Sequence, residues 1–519
     1  MFFEPNQEQE TGVHEVDVCI IGAGAIGIAM ALYLEDKTDL TIAILENGSL
    51  SSQESTIKDV VNSGHLSSGL AGSRAYGFGG STTIWGGQAL KFNDLDFANR
   101  PWIDHAQWPI SNAEIEPYYK VAEEIIGVQD IEFDSNICRS DIAPDDLQAY
   151  EQHDIDLDYS KFSSTPNFHN KYLTRIQESK QILCYLDTKT QFDQDKLSKR
   201  ITSARVKLNK DLTVQLKASE FVIACGGIDS PTTLLTSKLV GLDDLPIGHY
   251  YNDHIGIYGA QLIPIDMSKF RALFSIRIEG GVKCLPKLAL TEQSQIEHCL
   301  ANINANIEVE TSSKDPLFHM RNLYSQLRNL NFNKETGQTI LQLLKHPKAL
   351  FTACYELVVK RRVYLPEGST FFLIANIESI PIKESFIKVA GENEDNQKPI
   401  AHINWLTSKQ SRTTASHFYT CVKKVLEKNN VAKVILKPSI HEDTDAWLSE
   451  SYGLYHHMGA TRMSKSKDHG VVDENCRVHT IPNLFIAGTS VLPTGSASNP
   501  TFTAIAVALR LCDHIRSKH

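Results

Sequence analysis

The stretch VDVCIIGAGAIGIAMALYL, residues Val16 to Leu34, decides the fold of the first part of the chain. Val16 to Ile21 is a short apolar run rich in β-branched residues, which indicates a buried strand. An apolar helix follows directly after a glycine-rich turn and runs to about Leu34. A second strand, Leu40 to Leu45, comes next. The pattern therefore predicts a βαβ unit with the spacing GxGxxG at its first turn.

Three glycines in this turn stand where a dinucleotide needs them: Gly22, Gly24 and Gly27. They permit the tight turn, the close approach of a pyrophosphate, and the packing of helix on strand. The first helical turn, with Ala25 and Ile26, offers free N–H groups and a positive dipole end to phosphates. Glu46 ends the second strand, where a carboxylate accepts ribose hydroxyls. We expect a bound dinucleotide here; the alternative is a βαβ unit without a ligand.

Composition excludes several classes of protein. The chain has 519 residues and a net charge of −11, which argues against nucleic-acid binding. The start lacks the features of a signal peptide, and no apolar stretch reaches the roughly 18 residues of a membrane span, so we expect a cytoplasmic protein. The most apolar helical stretch, Ala349 to Val363, carries several charges, which favours a core or interface helix. The cysteines include no CxxC pair, and we expect free thiols and no metal.

A second glycine-rich stretch, GFGGSTTIWGG, spans Gly77 to Gly87. Its glycine content is typical of a loop pressed against a flat ligand or another backbone. A flexible surface loop is the alternative, and Ile84 and Trp85 make it less favoured because such side chains prefer to be buried.

Further segments extend the nucleotide-binding pattern. Glu220 to Ala224 predicts a strand, followed by Gly226 and Gly227 and by a helix from Ser230-Pro231. Asp130 to Ser164 is polar and acidic and is interpreted as loops over the entrance for the cofactor or the substrate. Strand-like runs and amphipathic helices between 258 and 449 indicate a separate substrate domain.

The C-terminal segment carries the chemistry. Asn483 to Ala487 predicts a strand that ends at Gly488, and a loop rich in small residues, beginning with Thr489, follows. Asn499 is a favourable N-cap and Pro500 a favourable first residue of the last helix. The positive end of this helix would stabilise developing negative charge, such as that on a reduced flavin.

His456 is the candidate base. Hydride removal from an alcohol carbon requires that the hydroxyl proton also leave, and an imidazole accepts it near neutral pH. Asn499 is able to hold the alcohol oxygen by a hydrogen bond. A core or surface histidine without chemistry is an equal alternative on these residues alone, because the chain has 19 histidines.

Five motifs together resemble the glucose–methanol–choline (GMC) oxidoreductases: Gly22-x-Gly24-x-x-Gly27, Gly79-Gly80-Ser81-Thr82, Gly226-Gly227 with Ser230-Pro231, His456-x-x-Gly459, and Ser498-Asn499-Pro500-Thr501. They occur in the family's order. The Asn-Pro-Thr ending is most similar to the pyranose oxidase and gluconate dehydrogenase branch.

The resemblance implies an α/β fold. A Rossmann-type FAD domain would be assembled from residues 14–95, 165–257 and 450–519, with lid and connecting segments at 96–164. An α+β substrate domain with an antiparallel sheet would span 258–449. The resemblance also implies a catalytic pair, His456 and Asn499. The cofactor contacts that it implies are Gly22, Gly24, Ala25, Ile26, Gly27, Glu46, Gly79, Gly80, Ser81, Thr82, Gly226, Gly488, Thr489, Asn499, Pro500 and Thr501.

One position departs from pyranose oxidases. Their flavin-linking histidine precedes the tryptophan of the second glycine-rich loop, where this chain has Ile84 before Trp85. Isoleucine forms no such bond, so we expect non-covalent FAD.

The function predicted is FAD-dependent oxidation of a CH–OH group of a small molecule. A sugar, polyol or glycoside would be the substrate, and oxygen or another carrier the electron acceptor. A homo-oligomer is compatible with the sequence. Three alternatives stay open: a lyase that keeps FAD structurally, a nicotinamide enzyme, and a non-catalytic binding protein.

Overall fold

The computed structural model describes residues 2–3, 12–51, 53–54, 59–65, 72–133, 136–207, 213–310, 316–328, 334–392, 398–441 and 445–519. The strands of this part of the chain are, in order, β1 Phe2–Phe3, β2 Val13–Ile21, β3 Ile42–Leu45, β4 Gln53–Glu54, β5 Val60–Asn62, β6 Ala75–Tyr76, β7 Gln88–Ala89, β8 Ile155–Phe162, β9 Ile182–Tyr185, β10 Lys189–Gln194, β11 Ile201–Lys207, β12 Thr213–Ile223, β13 Ile255–Pro264, β14 Arg277–Glu279, β15 Val282–Leu290, β16 Ile303–Glu310, β17 Thr370–Ile377, β18 Phe386–Glu392, β19 Pro399–Asn404, β20 Ala432–Leu436, β21 Ser451–Gly453 and β22 Leu484–Ile486.

The helices are α1 Ala25–Lys37, α2 Asp94–Phe97, α3 Asn112–Ile126, α4 Asn136–Arg139, α5 Pro144–Glu151, α6 Phe168–Glu178, α7 Gly226–Thr236, α8 Met267–Phe274, α9 Glu292–Glu297, α10 Pro316–Arg328, α11 Lys334–Leu344, α12 Pro347–Val358, α13 Lys409–Lys428, α14 Asp445–Glu450 and α15 Pro500–Arg516. None of the helices in the described part of the chain combines the length and the apolar character needed to cross a bilayer.

The first sheet is mainly parallel. Its order is β1-β9-β3-β2-β12-β11-β10, and β22 pairs with the C-terminal end of β12. The β2-α1-β3 unit has the parallel pairing that the sequence predicts. Both faces of this sheet are covered, and β2, β3 and β22 are buried along most of their length, because helices such as α1 and α15 lie over it. A strand buried on both faces explains why β3, β22 and the C-terminal half of β2 are continuous apolar runs.

The second sheet is antiparallel, with the order β20-β13-β17-β16-β15-β8-β7. One face packs on α13, whose buried side includes Phe418, Tyr419 and Val422. The other face carries polar side chains and lies towards the loop before α15, because the asparagines of β16 and β17 bond to that loop. A half-covered antiparallel sheet is the usual origin of such alternation.

The structure divides the chain differently from the sequence boundaries in three places. The segment 130–164, interpreted as loops, contains α4, α5 and β8, and β8 is a central partner of β15. β21, placed by sequence with the nucleotide domain, pairs with β13 of the antiparallel sheet. β18 and β19, placed with the substrate domain, form a separate sheet with β5. Non-local pairing decides these memberships, and local pattern does not report it.

Candidate active site

His456 and Asn499 meet at the start of the last helix. Asn499 Nδ2 lies 3.1 Å from His456 Nε2 and donates to it. Asn499 occupies the N-cap position of α15, as predicted, but its side chain makes no capping bond. Its Oδ1 is buried and has no hydrogen-bond partner among the described residues. The amide is therefore directed at the imidazole, with one acceptor left for a ligand.

A second histidine, which the sequence analysis missed, fixes the proton on His456. His254 Nε2 lies 3.0 Å from the Gly495 carbonyl oxygen and must donate to it. A neutral His254 then has a free lone pair at Nδ1, which lies 2.8 Å from His456 Nδ1. His456 Nδ1 must carry the proton of that bond, so Nε2 is left as an acceptor. The chain of bonds assigns the tautomer that a base requires.

The carboxylate of Asp253 holds the two histidines in register. One oxygen, Oδ1, accepts the backbone N–H of His254 at 2.6 Å and that of His456 at 2.7 Å. Asn252 and Met458 exchange backbone bonds alongside, at 3.1 and 2.9 Å. Burial raises the pKa of Asp253 to about 7. The segments 252–254 and 456–458 therefore behave as one unit.

Burial sets the protonation of the site. Desolvation, reinforced by His254, His457 and Lys287, holds the pKa of His456 well below its ordinary value. Desolvation also lowers the pKa of His254 to about 4. Both imidazoles are consequently neutral near pH 7, which agrees with the hydrogen-bond pattern.

His457 turns away from this pair. Its Nδ1 lies 2.8 Å from the Tyr251 hydroxyl and its Nε2 lies 3.0 Å from Ser73 Oγ. Its backbone oxygen accepts the Thr489 hydroxyl at 2.7 Å. The structure therefore places His456, and not its neighbour, beside Asn499.

The glycine-rich turns predicted to hold a cofactor converge. A Cβ built on Gly22 would lie 2.6 Å from the Ala224 oxygen, and one on Gly80 would lie 2.9 Å from Gly24 Cα. Gly488 approaches Ile26, with 3.9 Å between its built Cβ and the Ile26 side chain. These contacts bring the N-terminal, middle and C-terminal segments to one place.

Glu46 is buried at the end of β3. Its carboxylate accepts the backbone N–H groups of Ala23 at 2.9 Å, Gly48 at 2.8 Å and Gly77 at 3.0 Å. It thereby ties the first glycine-rich turn to the second. Its predicted contact with a ribose stays a prediction, and a carboxylate has lone pairs beyond these three bonds.

Hydroxyl groups of the second glycine-rich loop help to hold it in place. Thr82 Oγ1 donates to the Gly79 oxygen at 2.6 Å and accepts the Phe168 N–H at 3.0 Å. Ser81 Oγ accepts the Ala75 N–H at 3.1 Å. Ile84 is 39% exposed, so the expectation that this side chain is buried is wrong, because the loop turns it outward.

The residues present fit a dinucleotide with a flavin ring. A Cβ on Gly24 or on Gly226 would meet nothing within 4 Å, so the backbone N–H groups that begin α1 and α7 border open space. The N-cap residues of α1, α7 and α15 make no side-chain capping bonds. Free N–H groups at helix N-termini are suited to phosphate and to an anionic ring edge.

The antiparallel sheet adds polar groups that the sequence analysis did not single out. Lys287 Nζ donates to Asn304 Oδ1 at 3.0 Å, and Lys287 stands opposite Asp158 in the pairing of β15 with β8. Asn304 and Asn376 each donate to the Ala497 oxygen at 2.7 Å, two residues before Asn499. Asn376 Oδ1 is buried without a partner among the described residues. The polar face of the sheet therefore lies over the loop that carries Asn499.

A sequence signal for this face existed. Asn302, Asn304 and Asn306 alternate with apolar residues in ANINANIEVE, and alternation of period two indicates a strand with one polar face. His254 gave no comparable signal, because its partners are distant in sequence.

Comparison with known proteins confirms the resemblance predicted from the motifs. Residues 381–508 match the family model described as GMC oxidoreductase, C-terminal. The C-glycoside 3-oxidase of Arthrobacter globiformis is 45% identical over 56 residues, 11% of each chain. The 2-methyl-1,2-propanediol dehydrogenase of Mycolicibacterium austroafricanum is 25% identical over 139 residues, 27% of this chain and 24% of that one. The pyranose 2-oxidase of Tricholoma matsutake is 37% identical over 59 residues, 11% of this chain and 10% of that one. The matches thus span no more than about a quarter of these relatives.

The fold matches over nearly the whole chain. The crystal structure of pyridoxine 4-oxidase from Mesorbium loti aligns with a TM-score of 0.59 at 13% identity. The alignment covers 97% of this chain and 99% of that one. At this identity the likeness concerns the fold alone. The mixed α/β architecture is therefore shared with a solved oxidase structure.

Proposed function

We propose that this chain, a relative of the GMC oxidoreductases, binds FAD non-covalently and oxidises a CH–OH group of a small polyhydroxylated molecule such as a sugar, polyol or glycoside. The observation that carries the proposal is the pair of His456 and Asn499, whose Nε2 and Nδ2 atoms lie 3.1 Å apart. His254 fixes the tautomer of His456 in this pair. FAD, when bound, supplies the ring that takes the hydride from the alcohol carbon.

His456 and Asn499 handle the hydroxyl group. A substrate hydroxyl that enters replaces their direct bond, because it donates to His456 Nε2 and accepts from Asn499 Nδ2. Nε2 then takes the proton as the carbon loses its hydride, and the C–O bond becomes a carbonyl. His456 is prepared for this role because the lowered pKa keeps its imidazole neutral.

The substrate class follows from the polar sheet face. Lys287 and Asn304 are buried, the amide oxygen of Asn376 has no partner in the part of the chain that the structure describes, and Asp158 stands opposite Lys287. Two buried amide oxygens, Asn376 Oδ1 and Asn499 Oδ1, suit a ligand with several hydroxyls, because an apolar alcohol would leave both without a hydrogen-bond donor among the described residues.

The test is His456→Ala in the flavin-loaded protein. We expect the variant to stay yellow and to reduce its flavin about 100-fold more slowly or worse, the usual scale for a lost general base. Anaerobic stopped-flow mixing with a panel of sugars and polyols measures this. His469→Ala, which changes an exposed histidine, serves as the matched control. Equal reduction rates in all three proteins would refute the role of His456.

The pH profile supplies a second check on the same residue. Because the folded-state pKa of His456 is lowered, its base form persists as the pH falls. The wild-type reduction rate should therefore stay level from about pH 8 through about pH 6.5 and decline only in more acidic solution. A decline with a midpoint above about pH 6.5 would contradict the assignment.

FAD content and the location of the chain are part of the proposal. The uncapped starts of α1, α7 and α15 support the binding of FAD. Ile84, at the position of the flavin-linking histidine of pyranose oxidases, supports binding without a covalent bond. The electron acceptor, oxygen or another carrier, and a cytoplasmic location stay predictions.

A further inference from the structure

An apolar surface on α11 and α12 has no role in the chemistry above. Six side chains define what we call the apolar helical face: Leu341, Leu344, Phe351, Tyr355, Val358 and Val359. Phe351 is 76% exposed and Val358 75% exposed. Their spacing of seven residues places them on one side of α12. Large apolar side chains grouped on a surface indicate an interaction site, because isolated ones are the norm elsewhere.

The opposite side of α12 is anchored to the body of the protein. Glu356 is buried and accepts from Arg362 Nε, and Arg362 Nη1 lies 3.5 Å from Asp141 Oδ2. Arg277, also buried, donates to the same Asp141 oxygen at 3.0 Å. Side chains on two faces of α12 thus have opposite environments. The apolar face points outward because the charged side is the one held in place.

Basic residues border the apolar helical face. Lys345 is exposed in the turn between α11 and α12, and Lys348 is exposed in the first turn of α12. Lys360 and Arg361 are exposed after α12, and Arg361 Nη1 lies 3.8 Å from Glu279 Oε2. Between residues 336 and 363 the one acidic residue is Glu356, which is buried against Arg362. The whole chain is acidic, with a net charge of −11, so this segment departs from its surroundings. The charge favours a negatively charged partner.

We infer that the apolar helical face docks the protein peripherally on a membrane that carries anionic lipid headgroups. Apolar side chains enter the boundary between headgroups and acyl chains, while lysines and arginine at the rim contact the headgroups. A lipid surface accommodates a convex row of side chains without a matching pocket. The inference does not depend on the chemistry of the active site.

The test is flotation of the full-length protein with lipid vesicles. We expect at least about tenfold more binding to phosphatidylcholine vesicles with roughly 30% phosphatidylserine than to phosphatidylcholine alone. The triple variant Lys345→Glu, Lys348→Glu, Lys360→Glu should bind the anionic vesicles at least about fivefold more weakly for each positive charge removed. The triple variant Leu344→Ser, Phe351→Ser, Val358→Ser should bind at the phosphatidylcholine level. Raising the salt should weaken wild-type binding.

Matched variants distinguish vesicle binding through the apolar helical face from binding that depends on net charge alone. Lys180→Glu, Lys196→Glu, Lys465→Glu makes the same change in net charge at exposed lysines elsewhere, and Leu197→Ser removes a side chain that is 97% exposed. Both should bind vesicles as the wild type does. Absent vesicle binding, or loss in these controls equal to that in the face variants, would overturn the inference. So would a concentration-dependent dimer that the Phe351→Ser change abolishes, because the face would then join two copies.

Discussion

His254 decides which nitrogen of His456 is free to accept a proton. His254→Leu removes the acceptor for His456 Nδ1–H, and the imidazole then populates the tautomer whose Nε2 is already protonated. We expect flavin reduction at saturating substrate to slow about tenfold or more, because fewer molecules present an unprotonated His456 Nε2. Flavin content and the substrate concentration for half-maximal rate should change little.

His254→Gln is the control that separates positioning from structure. Its amide oxygen is able to accept from His456 and its amide nitrogen to donate to the Gly495 oxygen, so most of the rate should return. A leucine variant as fast as wild type would show that His456 needs no partner. A glutamine variant as slow as leucine, with normal flavin content, would argue that an imidazole itself is required.

Prediction from sequence reached His456 and Asn499 but not the residues that control them. The two lie in short local patterns, His-x-x-Gly and Asn-Pro-Thr. The bond from His254 spans 202 residues, and its existence depends on the pairing of Asn252 with Met458. Tyr455 and Ser496, which lie close in sequence to His456 and Asn499, have backbone φ angles of 64° and 55° in the left-handed region. The sequence does not indicate this conformation for these residue types.

The start of α7 joins the nucleotide turn to the histidine segment. A Cβ on Gly227 would lie 2.1 Å from the His457 oxygen, whereas one on Gly24 would meet nothing within 4 Å. Gly227→Ala should therefore destabilise the apoprotein by about 1–3 kcal/mol, the cost of overpacking. Urea unfolding followed by circular dichroism measures this difference.

Gly24→Ala is the matched change at the same kind of turn. It should leave apoprotein stability unchanged and weaken FAD binding about tenfold or more, because the methyl group occupies the approach of the pyrophosphate. Fluorescence titration with FAD checks the affinity. Equal stability of both alanine variants would show that the contact between Gly227 and His457 is not tight.

Elements followed the sequence where local signals were strong. α3 begins at the sequence pattern of a capping box, Ser111 with Glu114, and ends at Gly127 with φ 88°. The helix expected from Ser230-Pro231 begins earlier, at Gly226, and Pro231 lies inside the helix, in its second turn. β8 was missed although its residues IDLDYSKF alternate, because Asp156 and Asp158 made the segment resemble an acidic loop.

Segments from both ends and the middle of the chain build the FAD groove that we propose, so the cofactor should stabilise the molecule as a whole. α15 packs in the same core as α1 and α3, and β22 pairs with the C-terminal end of β12 on the edge opposite β2. Precipitation with acid should release yellow FAD into the supernatant, because Ile84 offers no linking atom.

The apoprotein should unfold at a lower temperature in calorimetry than the protein with bound FAD. Added FAD at about 100 times its dissociation constant should restore about 2.7 kcal/mol. Flavin retained in the precipitate, or an unfolding temperature that does not change when FAD is added, would contradict a non-covalent cofactor bound across these three segments.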